Sequence, residues 1–179
     1  MMVTKHTLVA LVEDKPGVLN RVASLFRRRG FNIESIAVGH SEKPNLSRMT
    51  IVVDGATTSV EQVRKQLDKL PDVIKVSDIT EDNIIARELA LIKVHATSAT
   101  RSEIIEIVDI FRANIVDVAA DSVTIEATGD EEKIGSLLKL VRGFGIKEIA
   151  RTGRIAMSRG GPGLMPLEGK SAKANNNKK

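Results

Sequence analysis

The stretch Thr7-Leu8-Val9-Ala10-Leu11-Val12-Glu13-Asp14-Lys15-Pro16-Gly17-Val18-Leu19 decides the fold. Thr7–Val12 is rich in β-forming residues and reads as a strand. Glu13–Gly17 is a turn, because Pro16 and Gly17 cannot continue a strand. Val18, Leu19, Val22, Leu25 and Phe26 then recur at helical spacing and form one apolar stripe. Arg27-Arg28-Arg29 end this helix, where cations suit the dipole, and Gly30 accepts the left-handed geometry beyond its last turn.

Working outward, residues 31–39 read as a second strand. His40–Leu46 reads as a hairpin loop, and Arg48–Asp54 as a third strand with Met49, Ile51 and Val53 on one face. Ser59 and Gln62 make a capping-box pattern ahead of the stripe Val60, Val63, Leu67 and Leu70, which Pro71 stops. Val73–Ile79 is a fourth strand. The order is βαββαβ, which fits a ferredoxin-like layer of helices on an antiparallel sheet. After a polar joint near Glu81–Arg87 the order starts again. Leu89–His95 is a strand, and Ile104, Ile105, Val108 and Phe111 a helical stripe. Strands follow at Asn114–Val118 and Ser122–Ala127, then the stripe Ile134, Leu137, Leu138 and Val141, and a last strand at Ile146–Ile155. Leu25-Phe26-Arg27 before Asn32-Ile33, and Ile110-Phe111-Arg112 before Asn114-Ile115, hint at an internal repeat. The expected class is therefore α+β, with two ferredoxin-like domains over residues 1–80 and 81–157. Only the first has the Pro-Gly turn. Residues 158–179 lose periodicity and are expected to form a disordered basic tail.

Charge supports this division. The chain of 179 residues carries a net +4, but residues 158–179 hold 5 Lys+Arg against 1 acid. The folded body is then near neutral, which argues against a phosphate-binding surface. An RNA-recognition domain of the same element order would read bases with aromatics on its central strands. The third strand has none, and the chain has no Trp or Tyr. With no cysteine, there are no disulfides, thiolate ligands or cysteine nucleophiles. His6, His40 and His95 stand apart, without metal-ligand spacing, and no Gly-x-Ser-x-Gly or phosphate-loop motif occurs. No catalytic, metal or cofactor residue is expected. No apolar run approaches the roughly 20 residues that span a bilayer. The N-terminus lacks the layout of a secretion signal, so the cytoplasm is the expected compartment.

One segment retains a chemical reading. A helix start presents free N–H groups and the positive end of a dipole to a carboxylate. Gly17 lets backbone approach a ligand, and Asp14 could balance an ammonium group. Together they suit a zwitterionic amino acid.

The strand, Asp14-x-Pro16-Gly17-x-Leu19, then helix resembles the ligand-binding turn of ACT domains. Arg29-Gly30-Phe31-Asn32-Ile33-Glu34-Ser35, Leu46-Ser47-Arg48-Met49-Thr50-Ile51 and Gln66-Leu67-x-Lys69-Leu70-x-Asp72-Val73 resemble the small subunit of acetohydroxyacid (acetolactate) synthase, and the likeness runs over residues 3–157. The resemblance implies a non-catalytic regulatory subunit whose ACT domains pair as a homodimer. It implies that a branched-chain amino acid, most commonly valine, binds between them and inhibits. It also implies that the subunit activates a separate catalytic large subunit, which carries thiamine diphosphate, magnesium and FAD. The implied effector residues are Asp14, Lys15, Pro16, Gly17, Val18, Leu19, Asn32 and Ile33, with Asn32 reaching the ligand across the dimer interface. Asp14 stands where many members have Asn. The alternatives are an ACT-type sensor serving a different enzyme, and an RNA-binding or small hydrolytic module on the same fold.

Overall fold

The computed structural model describes residues 5–55, 57–160 and 163. Most of the tail expected to be disordered lies outside the described residues. The elements run β1 (Lys5–Glu13), α1 (Val18–Arg28), β2 (Ile33–His40), β3 (Leu46–Asp54), α2 (Thr57–Leu67), β4 (Val73–Asp78), β5 (Ile84–His95), α3 (Arg101–Ile110), β6 (Asn114–Val118), β7 (Ser122–Gly129), α4 (Glu131–Val141), β8 (Ile146–Arg151) and β9 (Ile155–Ser158). The first sheet has strand order β2-β3-β1-β4, and the second repeats it as β6-β7-β5-β8. All pairings are antiparallel. This is the α+β, doubled βαββαβ arrangement that the periodicities imply.

Alternation along β1 explains the first core. Leu8, Ala10 and Val12 face the helices and pack with Val22, Leu25 and Phe26 of α1 and with Val60, Val63 and Leu67 of α2. Phe26 is fully buried, and truncating such a side chain to alanine costs about 3–5 kcal/mol. Leu19 belongs to the apolar stripe by spacing, yet it is 48% exposed at the first turn of α1. The second core repeats the scheme with Ile92, Val94, Ile104, Ile125, Ile134 and Leu137.

Four local expectations need correction. The polar joint at 81–87 is strand from Ile84 onward, and the single last strand is two. β5 is long enough to pair with β7 and β8 along one half and with β9 along the other. The chain leaves β8 at Thr152, whose N–H donates to the Leu89 carbonyl at 3.1 Å, and bends at Gly153 with φ +81. A Cβ there would lie 3.3 Å from the Ile36 carbonyl, so the bend needs glycine on two counts. The repeat hinted at by the two Phe-Arg pairs is displaced by three residues. Phe31 N–H reaches the Phe26 carbonyl, and Ala113 N–H reaches the Val108 carbonyl, so Phe26 corresponds to Val108. Finally, α2 begins at Thr57, which puts Ser59 inside the helix rather than at its cap.

The second domain covers part of the face of the first sheet opposite its helices. Val9 and Ile79 are buried with Ala156 of β9, and Ile84 and Ala86 of β5 pack against them. The β1 part of the face that an RNA-recognition fold would offer to bases is thus occupied from within the chain.

Candidate functional site

The Asp14–Gly17 turn is pinned on two sides. The Glu13 N–H donates to the Asp72 carbonyl and the Asp14 N–H to the Asn45 carbonyl, both at 2.8 Å. Gly17 takes φ +87 at the position before α1, where residues other than glycine are strained. No side chain caps the helix start, and no acid lies in its first turn. The N-terminal amides and the positive end of the dipole are therefore unanswered from within the first turn. A Cβ on Gly17 would meet only Arg21 Nη2, at 3.6 Å, so the space above the turn is open.

The charges around the turn are already engaged. Lys15 Nζ lies 2.8 Å from Asp72 Oδ1 and also contacts Glu13, and these carboxylates, Asp72 first, raise the Lys15 pKa above its ordinary value. Arg21 Nε lies 3.0 Å from Asp72 Oδ2 but off the line of a hydrogen bond, so that contact is Coulombic. Asp14 Oδ2 is 3.0 Å from His40 Nδ1. A ligand ammonium approaching Asp14 meets a carboxylate that shares itself with an exposed imidazole.

Of the residues named from the sequence, Asp14, Lys15, Pro16, Gly17, Val18 and Leu19 come together. Val18 is buried in the core, while Asp14, Lys15, Pro16, Gly17 and Leu19 are exposed. Asn32 and Ile33 lie elsewhere. Ile33 pairs with Val53, which pairs with His6, whereas the turn follows Glu13. Seven strand residues separate the two places, about 23 Å at roughly 3.3 Å per residue. One chain does not unite them.

Sequence reasoning missed Asp72, Arg21 and His40 as parts of this site. Asp72 has 4% of its side chain exposed and holds two cations. Its only sequence signal is an acid directly after Pro71. A second cluster, also missed, ties the domains together. Lys5 Nζ lies 2.6 Å from both Glu34 and Glu131, Arg154 pairs with Glu131, and Arg151 Nε donates to Glu88 at 3.0 Å. Glu34, Glu88, Glu131, Arg151 and Arg154 of this cluster line a cleft of about 330 Å³ between the domains. Among the described residues no three His, Asp or Glu side chains converge as a metal site.

The comparisons agree with this geometry. Residues 8–75 match the family model for the ACT domain of acetohydroxyacid synthase small subunits, and residues 87–160 match the model for the small subunit of acetolactate synthase. A probable acetolactate synthase small subunit of Archaeoglobus fulgidus is 62% identical over 87% of this chain and 98% of its own length. The acetolactate synthase small subunit of Mycolicibacterium smegmatis is 57% identical over 89% of this chain and 94% of its own. The crystal structure of the Thermotoga maritima acetolactate synthase small subunit superposes with a TM-score of 0.81 at 44% identity, over 89% of this chain and 99% of that one. The uncapped ACT turn, the doubled fold and these relatives together show that the chain belongs to the acetolactate synthase small-subunit family.

Proposed function

We propose that the chain is a non-catalytic subunit that activates the catalytic large subunit of acetolactate synthase in the cytoplasm and makes it sensitive to a branched-chain amino acid, valine first. The observation that carries this reading is the open start of α1, which offers backbone N–H groups to a carboxylate beside Asp14. Leu19, 48% exposed at the first turn of α1, offers an apolar contact for a branched side chain. In this reading thiamine diphosphate, magnesium and FAD belong to the large subunit, and this chain supplies no reacting group.

A homodimer completes the site. β2 is an edge strand, so its outer N–H and C=O groups face no neighbouring strand among the described residues. Antiparallel pairing of β2 with a second copy, centred on Ile36, keeps the faces of the two sheets in register and puts Asn32 of one copy opposite His40 of the other. His40 contacts Asp14, so Asn32 comes beside the turn. The distance between the two halves of the site within one chain is what such a pairing removes. Effector binding then biases the arrangement of two subunits, and only an effector that prefers one arrangement shifts activity.

The test is acetolactate formation by the cognate large subunit, with and without this protein, and with valine, leucine or isoleucine added. Activation by the protein and inhibition by one of the three is the expected result. A large subunit equally active in both conditions, and blind to all three amino acids, sinks the reading.

A further inference from the structure

A second surface has chemistry that the effector site does not use. On the face of the first sheet away from its helices lies a groove of about 310 Å³ between β2 and β9. Its walls are apolar. Ile85, Ile155 and Met157 line it and remain 36%, 59% and 54% exposed. A contiguous exposed apolar patch of this kind marks an interaction site.

Arg48 and Arg87 share the lining, and no Asp or Glu does. Among the described residues neither arginine forms an ion pair. Arg48 Nη2 donates to the Ala156 carbonyl at 2.9 Å, and Arg87 Nη1 to the carbonyl of Ala86 at 2.7 Å. Burial lowers the Arg48 pKa, opposed only by the field of Glu42. A guanidinium withdrawn from water without a counter-ion is costly, and a carboxylate that meets it makes the strong, bidentate kind of hydrogen bond. Arg151 and Arg154 in the inter-domain cleft differ on this point, since each already has an acid.

We propose that this groove is a docking surface for the catalytic large subunit, and that it takes a segment in which an Asp or Glu is flanked by branched apolar residues. The carboxylate bridges Arg48 and Arg87, and the apolar neighbours cover Ile85, Ile155 and Met157. The proposal rests on the assembly with the large subunit inferred above.

Charge decides against a second copy of this chain as occupant. The acid on β2, Glu34, is already held by its own Lys5 at 2.6 Å. The groove also lies on the sheet face, where Arg48 pairs with Gly39 and Thr50 with Ala37, not on the strand edge. Pairing of two β2 edges therefore uses the strand edge and not the floor of the groove, and brings two such grooves to either side of the two-fold axis.

Hydrogen exchange of the full-length protein, alone and with the large subunit, tests this directly. Amides of Ile85 and of Ile155–Met157 should exchange at least about tenfold more slowly in the complex, a factor that corresponds to about 1.4 kcal/mol. Arg87→Glu and Met157→Asp should each weaken binding of the large subunit by about tenfold or more, and Arg87→Lys should restore most of it. Homodimer mass and valine affinity should stay at wild-type values. A large subunit that binds but protects a different surface overturns the docking proposal and leaves the regulatory reading standing. So does a folded Arg87→Glu protein that binds it normally. Protection already present in the protein alone, and lost on dissociation or on deletion of residues 161–179, overturns it in favour of a second copy or the chain's own tail. Failure of the wild-type protein to bind the large subunit at all defeats the regulatory reading, and the docking proposal with it.

Discussion

Lys5 Nζ and Glu131 Oε1 meet at 2.6 Å although 126 positions separate them, so the first strand of one domain is tied to the first residue of α4 in the other. Glu34, the residue after Asn32-Ile33, binds the same ammonium at 2.6 Å. The expected effector half-site on β2 and the second domain thus share one charge.

Replacing Lys5 with methionine leaves Glu34 and Glu131 facing each other without their common cation. The groups are partly exposed, so the expected loss is small, about 0.5–1 kcal/mol. The clearer signature is ionic. Wild-type stability should fall as salt rises, and Lys5→Met should flatten that dependence. Thermal melts across a salt series measure both. The hydrogen bond from Lys5 holds the Glu131 carboxyl below its ordinary value of 4.5, so its contribution is present above about pH 4.5 and is lost as pH falls through the lowered folded value. Glu131, then Glu34, raises Lys5 above 10.5, so its contribution is present below that pH and is lost as pH rises through the raised value. The tie should therefore be constant between these limits and weaken beyond either.

Gly17→Asp should give a folded protein that still activates the large subunit but no longer responds to the amino acid. The side chain enters open space, with only Arg21 nearby, and a φ of +87 costs a non-glycine residue about 1–2 kcal/mol. A carboxylate about 4 Å from the effector's own repels it by roughly 4 kcal/mol at an effective dielectric near 20. Calorimetry with valine, beside a thermal melt, checks both halves. Wild-type affinity in a well-folded variant would place the site elsewhere.

Asn32→Ala should weaken effector binding by about 0.5–1.5 kcal/mol, the worth of one neutral hydrogen bond. Because Asn32 lies about 23 Å from the turn within a chain, its effect should require the dimer. Mixed dimers pairing Asn32→Ala with Gly17→Asp give a sharp readout. One of the two sites then carries both defects and the other neither, so half the wild-type binding capacity should persist at wild-type affinity. Complete loss in such mixed dimers would contradict a site shared between subunits.

Asp72→Asn removes the carboxylate that holds Lys15 and Arg21 beside the turn. Asp72 is nearly buried, and the substitution should cost about 1–3 kcal/mol in urea denaturation. Amide exchange through Lys15–Leu19 should quicken, and effector affinity should fall even where the protein remains fully folded. Unchanged exchange in that segment would show that the backbone bonds to Asp72 and Asn45 suffice to fix the turn.

The elements of both domains were legible in the chain because each depends on local periodicity. Val22, Leu25 and Phe26 announce a helix face whatever surrounds them, and Pro16-Gly17 announces a turn. The family likeness was legible too, in several separated motifs taken together. What escaped was non-local. β5 begins five residues before Leu89 because β9 returns to pair with Ile84–Arg87, and nothing near residue 84 encodes a partner at residue 158. Lys5, Glu34, Glu131 and Arg154 carry no motif, since an ion pair needs only charge and proximity, and folding alone supplies the proximity. The sequence by itself determined the two βαββαβ units and the open helix start at Gly17. Only the tertiary structure decided that Asp72 braces that turn, that Asn32 lies at the far end of the sheet from it, and that the second domain covers part of the first sheet's free face, because each of these is set by strand pairing between distant parts of the chain.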